Sequence, residues 1–476
     1  MQYEMVIGLE VHTELATKSK IFCSCTTEFG GEPNTHCCPI CTGMPGVLPK
    51  LNKKVVEYGI AVGLATHCEI TPYGKFDRKN YFYPDLPKAY QVSQLYLPIC
   101  RNGFVEIEGE GFQKNIGIHE IHMEEDAGKL IHDPLTGMTY ADYNRCGVPL
   151  LEIVSEPDFR SAEEVIAYLE SLKRILQYLG VSDCKMQEGS LRADVNLSLR
   201  PVGQEEFGTR TEMKNLNSFR AIGRAIEAER KRQLEILESG GRVVQETRRW
   251  DDAAGESYGM RSKEDAQDYR YFPEPDLAPV VISEEWKDAV WATLPMLPRE
   301  RKEKYRREHG LSEYDAALLT ERKLLADYFD EVNAVVKDPK EVANWLLGEV
   351  MRVARAGEED DFRILLDGSK LADIILMIKE GTINRNTAKD VFSAVWNENL
   401  EPRKYVEEHD LAMVGDDELV RDTVKKVLAA NPKTIEEYHS GKTKVLGYLV
   451  GQCMKELKGK ADPGAVNALI RDALKQ

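Results

Sequence analysis

Four short segments concentrate side chains that can do chemistry: Glu10-Val-His12, Lys75-Phe-Asp-Arg-Lys-Asn-Tyr81-Phe-Tyr-Pro-Asp85, His122-Met-Glu-Glu-Asp-Ala-Gly-Lys129 and Glu152-Ile-Val-Ser-Glu-Pro-Asp158. Carboxylates gathered around an imidazole suit a hard divalent cation such as Mg2+ or Mn2+, and a cation held that way can bridge nucleotide phosphates. Lys75, Arg78, Lys79 and Lys129 lie among the acids and carry the charge that neutralises phosphoryl oxygens in a transition state. The ordinary role of any single acid is a solvated surface charge, and the same plain reading is taken for His119 and His132. Glu10 and His12 differ, because their apolar neighbours place them together on one strand face.

Cysteines form a second group. Cys23-Ser-Cys25, twelve residues, then Cys38-Pro-Ile-Cys41 puts two close pairs on two turns, the spacing that brings four thiolates around one Zn2+. Four thiolates leave no open position, so this zinc is expected to be structural and to pin the loop from residue 21 to Pro45-Gly46. His36 and Cys37 are adjacent and can replace a ligand. The plainer alternative is a set of buried free thiols. A nucleobase deaminase is set aside, since that signature has Pro before its first cysteine and here Pro39 follows Cys38. Ser440-Gly-Lys-Thr443 looks like half a P-loop, but Glu436 stands where the upstream glycine belongs and no strand precedes it.

Elements must hold these residues in place. From Tyr3 to Leu15, Ile7, Leu9 and Val11 alternate with Gly8, Glu10 and His12, the period-two pattern of a half-buried strand. Further strands are predicted at 105–110 and 114–123. Ser161-Ala-Glu-Glu164 forms a capping box, followed by apolar residues at 165, 166, 169, 172, 176 and 179 and a stop at Gly180, which predicts a helix. Another helix is predicted over 218–239, ended by Gly240-Gly241. Strand and helix patterns mix up to about residue 290, an α+β arrangement rather than a doubly wound one. Past Pro295 and Pro298 the pattern turns helical, with helices near 323–337, 340–356, 369–380 and 386–396. A second break falls at Glu401-Pro402. Three units are expected: 1–293, α+β and catalytic, with the cysteine loop at 23–41; 294–404, all-α; and 405–476, a tail of short helices.

Bulk properties bound the function. The 476 residues are 42% apolar and 30% charged, a globular balance with room for roughly two to four domains. A net charge of −17 argues against non-specific nucleic-acid binding, yet residues 441–476 hold seven Lys or Arg against three acids, so the tail is locally basic. Ten cysteines fit metal ligands and buried thiols in a reducing compartment. The first residues lack the basic-then-apolar order of a signal peptide, and no apolar run nears the ~20 residues of a membrane span. The expectation is a cytoplasmic protein with no membrane partner.

VIGLEVHTEL, KFDRKNYFYPDLPKAYQVSQ, HMEEDAGK, PLLEIVSEPD, EGSLRADVNLSLR, TEMKNLNSFR, QETRRW, DYRYFPEPDL and the tail GQCMKELKGKADP, in that order, closely resemble the B subunit of the tRNA-dependent amidotransferases that act on Glu-tRNA(Gln) and Asp-tRNA(Asn), the GatB family. The resemblance implies a cradle-like catalytic domain that uses ATP and Mg2+ to phosphorylate the side-chain carboxylate of the mischarged aminoacyl group. Ammonia then displaces phosphate. The resemblance puts metal and pocket ligands at Glu10, His12, Glu124 and Glu125, with Glu152 a further ligand, and assigns Lys79, Tyr81 and Asp194 to the pocket. It implies an amidase-type glutaminase, the A subunit, as ammonia source, a small C subunit that clasps both in a heterotrimer, and tRNA contacts from the helical region and basic tail. Only some members carry the four cysteines. Two other readings stay open on residues alone: a tRNA-binding scaffold without chemistry, and a free-standing metal-dependent ligase.

Overall fold

A computed structural model of the chain describes residues 2–262, 269–354, 362–413, 417–440, 442–457 and 460–474. It divides into two compact units, Met1–Pro298 and Arg299–Gln476.

The first unit is built on a nine-stranded sheet. Its strands run in the order Glu256–Ser262, Glu246–Asp251, Thr211–Lys214, Leu191–Pro201, Tyr3–Glu14, Pro149–Ser155, Phe112–Glu125, Cys100–Gly109 and Glu69–Ile70. Every neighbouring pair is antiparallel except Thr211–Lys214 with Glu246–Asp251. A parallel pair needs a crossover, and the helix Phe219–Glu238 lies between those two strands in the chain. Alternation divides the sheet into two faces. Ile7, Leu9 and Val11 point into a core shared with Val165, Leu169, Leu172 and Ile222 of the helices Ala162–Leu179 and Phe219–Glu238. Gly8, Glu10 and His12 point the other way.

Local chemistry explains the helices that back this sheet. Ser161 Oγ accepts from Glu164 N at 3.2 Å, and Gly180 closes the helix at φ 68°. The return half of the capping box is displaced by one residue, since Glu164 Oε2 accepts from Arg160 N at 2.8 Å instead of from Ser161 N. Ser218 caps the helix Phe219–Glu238 in the same way through Ala221 N at 3.0 Å. A small sheet of Phe272–Pro273, Asp77–Asn80 and Tyr90–Ser93 lies beside the polar face of the large one, joined to it by side chains of the Tyr90–Ser93 strand.

The second unit is helical throughout its described residues. Apolar side chains form two clusters there, one among residues 305–406 and one among residues 420–474. The helices predicted from residue 323 onward are found at Lys323–Val336, Gly368–Lys379 and Arg385–Trp396. The one predicted over 340–356 begins at Pro339, widens into a π-helical turn over Leu346–Val350 and resumes at Met351–Ala354; residues 355 and 356 lie outside the described set. Among described residues, no helix is long and apolar enough to cross a membrane.

Candidate active site and cysteine metal centre

The polar face of the large sheet gathers two groups of potential ligands. His12 stands opposite Glu152 on the neighbouring strand, with Nε2 to Oε1 at 3.7 Å. Glu124 completes the first group, each residue offering a ligand atom within 4.8 Å of the others. Two hydrogen bonds aim Glu124: Ser93 Oγ donates to Oε1 at 2.6 Å and Gln91 Nε2 to Oε2 at 3.1 Å. Glu10 lies across from Asp194 and joins it and Glu212 in the second group. Asn196 Nδ2 donates to Glu10 at 3.0 Å, and the Lys214 ammonium bridges Asp194 at 2.5 Å and Glu212 at 3.1 Å.

Electrostatics separate the roles. Burial pushes Glu152 well above the ordinary carboxylate range, and the neighbouring Glu124 pushes it further. Burial would raise Glu124 too, but the Lys79 ammonium, together with hydrogen bonds from Glu152 and Ser93, holds Glu124 low. Two carboxylates this close keep a proton between them unless a cation replaces it. Burial lowers His12, against the pull of Glu124 and Asp194, and leaves a neutral imidazole whose lone pair can bind metal. One nitrogen and two carboxylates, aimed and largely out of water, are a donor set that fits a divalent cation such as Mg2+ or Mn2+.

Other predicted residues go elsewhere. Glu125 follows Glu124 as the last residue of its strand and is turned away from it. It pairs with Lys88 and accepts from Val92 N at 2.9 Å, beside a cavity of about 220 Å3 that Lys20, Cys23, Cys41 and Glu274 also line. Arg78 clamps Glu274 through two bonds of 2.6 and 2.8 Å and reaches Asp276 at 3.2 Å, which ties its strand to Phe272–Pro273. Lys75 pairs with Asp77 at 3.3 Å. Lys129 is exposed at the start of a hairpin formed by Lys129–His132 and Thr139–Asp142. Lys79 alone of the four cations faces the carboxylates: burial would lower its pKa, but Glu124, Tyr271 and Glu152 raise it. Tyr81 lies beside it and is raised to about 12, chiefly by burial. His122 is engaged by Glu120 at 3.1 Å and by the Gln94 carbonyl.

The four cysteines Cys23, Cys25, Cys38 and Cys41 converge, with sulfur atoms within 4.8 Å of one another. Cys37 instead donates to the Asn34 carbonyl at 3.2 Å, and neither it nor His36 joins the group. Lys20, wholly buried, places its ammonium 3.6 Å from Cys41 Sγ. A hydrogen bond from the Cys23 thiol pulls Cys41 down to about 4, with Lys20 adding to the shift. A buried ammonium requires an anion, and the sulfur of Cys41 supplies it; a four-thiolate set with a cation at its back fits Zn2+. His12-Thr13-Glu14 is a His-x-Glu triplet upstream of these cysteines, but its imidazole lies with the carboxylates, so the deaminase pattern fails in space as well. Ser257, at the centre of a Gly-x-Ser-x-Gly string from Gly255 to Gly259, is no nucleophile elbow: it sits on a strand and accepts from Arg248 Nε at 2.8 Å.

Residues 5–288 match the family model described as the GatB/GatE catalytic domain, and residues 327–474 match the one described as the GatB domain. The chain is 63% identical over 472 residues to the B subunit of the aspartyl/glutamyl-tRNA(Asn/Gln) amidotransferase of Lachnoclostridium phytofermentans, a match covering 99% of each chain. It belongs to the GatB family of amidotransferase B subunits. Proteins of the same name from Agathobacter rectalis, 59% identical over 99% of both chains, and from Caldicellulosiruptor saccharolyticus, 57% identical over the full length of both, place it there equally. In this GatB-family chain the catalytic-domain match takes in the nine-stranded sheet, both ligand groups and the cysteine loop.

Several residues at the GatB-family site escape a reading of residue types alone. Gln91, Ser93, Asn196, Glu212 and Lys214 are ordinary polar residues in sequence, and Lys20 and Lys88 look like surface lysines. A usable signal exists for several of them: Glu212 and Lys214, Gln91 and Ser93, and Asn196 with Asp194 each alternate on a strand, as Glu10 and His12 do.

Proposed function

We propose that this chain activates the side-chain carboxylate of Glu-tRNA(Gln), Asp-tRNA(Asn) or both by phosphorylation with ATP. The amide then forms with ammonia supplied by a partner glutaminase. The names of its full-length relatives support the substrates. The observation that carries the chemistry is the group of His12, Glu124 and Glu152 with Lys79 facing it. A carboxylate is a poor electrophile because oxide is a poor leaving group. Its oxygen therefore attacks the γ-phosphorus of ATP, the bond to ADP breaks, and the acyl phosphate that results loses phosphate when ammonia attacks the carbonyl carbon and gives up a proton.

His12, Glu124 and Glu152 would hold a Mg2+ that draws charge from the phosphoryl oxygens. Lys79 neutralises oxygens of the transferring group, and Tyr81 and Asp194 shape the pocket, with Glu10 as a further carboxylate of the site; Glu125, paired with Lys88 and Val92 N, stands apart from it. The polar sheet face serves as a cradle-like seat for the reacting groups. The four-cysteine zinc is structural. Residues 1–293 form the catalytic domain, 294–404 a helical domain and 405–476 a tail that grips tRNA, in a cytoplasmic heterotrimer with the amidase-type A subunit and the small C subunit.

The test uses the reconstituted complex with mischarged tRNA, ATP and an ammonium salt, which removes any need for glutaminase. His12→Ala and Glu152→Gln are expected to lower the rate of amide formation by about 10²- to 10³-fold, as loss of one transition-state stabiliser does, while tRNA binding persists. Unchanged amidation in both variants would leave the chain a scaffold.

A further inference from the structure

Two aromatic-rich stretches, Lys79 to Tyr83 and Tyr269 to Phe272, are far apart in sequence and adjacent in the fold. Phe272 pairs with Arg78 between their strands, and Asn80 Nδ2 donates to the Arg270 carbonyl at 2.8 Å. Tyr81 meets Tyr269 edge to face at 5.7 Å, and Tyr269 meets Tyr271 at 6.0 Å. Phe82, Tyr83 and Phe272 are 82%, 57% and 43% exposed. Single exposed apolar residues are ordinary, but six aromatic side chains along two paired segments, several open to water, form a surface that a core does not require.

The location says what the surface can receive. The Lys79 ammonium lies 5.1 Å from the Tyr269 ring centre and is drawn at the same time by Glu124 and Glu152. The aromatic cluster therefore begins where the carboxylate group ends. Exposed Arg270 adds a cation to its rim. Aromatic rings with interspersed cations are how proteins hold unpaired nucleotides, each base stacking on a ring while the cations meet phosphates.

We propose that this cluster seats the unpaired 3′ nucleotides of the tRNA, with bases stacking on Phe82, Tyr269 and the rings beside them. The proposal rests on the reading that an aminoacyl ester is brought to His12, Glu124 and Glu152. That ester hangs from the terminal ribose, so the last bases must lie about one aminoacyl group and one ribose away from the carboxylate group, and the aromatic surface is continuous with that position. Stacking tolerates any base, and discrimination between tRNAs is left to contacts elsewhere on the chain.

The experiment uses the complete complex with an ammonium salt as nitrogen source, and a tRNA carrying 2-aminopurine in place of its 3′-terminal adenosine, a probe whose fluorescence is quenched when it stacks. Quenching is expected with the wild-type complex. Phe82→Ala and Tyr269→Ala are expected to weaken it and to raise KM for the mischarged tRNA about tenfold, the effect of losing one base–aromatic stack, with a much smaller change in KM for ATP. Tyr269→Phe keeps the ring and is expected to restore quenching, which a role resting on the hydroxyl would not allow, while Phe82→Ala removes a ring that is 82% exposed and that the fold does not need. Full quenching in both alanine variants overturns the proposal, and so does a rise in KM for ATP with tRNA unaffected, since the rings would then hold the nucleotide's adenine. A wild-type complex that quenches the probe but forms no amide with ATP would sink the activity and leave the seat standing.

Discussion

Glu124 and Glu152 face each other largely out of water, and two negative charges so placed do not coexist without a proton or a cation between them. Because the pKa of Glu152 is raised, it carries the proton across a pH range in which an ordinary glutamate is ionised. A metal ion must displace that proton, so its affinity is expected to fall as pH drops below the raised pKa, by up to about tenfold per pH unit. Calorimetry of Mn2+ binding in buffers of different ionisation enthalpy would read about one proton released, and Glu152→Gln, which mimics the neutral acid, should abolish that release. Affinity constant with pH would remove Glu152 from the ligand set. Lys20 carries a second residue-scale prediction. With Lys20→Met the thiolates lose the buried cation beside them, so zinc should pass to a chelator faster and the fold should lose about 3 kcal/mol, as when one partner of a buried pair is removed; zinc content and release rate check it. Glu10 and His12 were legible as one strand face because a two-residue period fixes a face, whereas Glu152 as a ligand came only with the family resemblance. Lys20 was not, since its burial depends on a loop that folds over it.

At the scale of elements, periodicity and capping residues indicated the first strand and the helices Ala162–Leu179 and Phe219–Glu238 to within a residue or two. The order of nine strands could not be read, because it is set by pairings between distant segments, such as Tyr3–Glu14 with Leu191–Pro201. The strand Tyr90–Ser93 was hidden for a related reason. It is only four residues long, too short for its Tyr-Gln-Val-Ser alternation to stand out, yet its Gln91 and Ser93 aim Glu124. Removing that aim while leaving the ligands intact is informative: Ser93→Ala should weaken Mn2+ binding about 10- to 100-fold, as loss of an outer partner of a metal ligand does, with little change in melting temperature. The helix behind the sheet should behave in the opposite way. Ser161→Ala removes its N-cap bond and should cost about 1 kcal/mol of stability while Mn2+ affinity, read by the same titration, stays at the wild-type value. If Ser161→Ala were the variant that lost metal, the site would depend on the helix far more than the separation of the two sheet faces allows.

Across the whole molecule, charge is the property most easily misread from its total. A net charge of −17 opposes binding to a polyanion, but the nine-stranded sheet collects acids in its two ligand groups, and the last helices carry the basic excess. Lys442, Lys444 and Lys455 are exposed there, and among the described residues Lys442 has an acidic side chain near it, Glu437 at 3.5 Å; Lys458 and Lys475 of the same stretch lie outside the described residues. The apolar cluster of residues 420–474 is separate from that of residues 305–406, so changes to surface lysines of the tail leave the rest of the helical unit intact. If the tail meets tRNA through phosphates, each lysine that does so releases counterions, and the logarithm of affinity falls with the logarithm of salt by roughly 0.7 to 0.9 per contact. Replacing Lys442, Lys444 and Lys455 by alanine should therefore weaken tRNA binding at low salt and flatten the salt dependence by up to about two to three units, with Mn2+ affinity at the sheet unchanged. Filter binding across a salt series measures it. An unaltered slope would mean that these lysines only keep an acidic chain soluble, and that the grip on tRNA lies on another part of the surface.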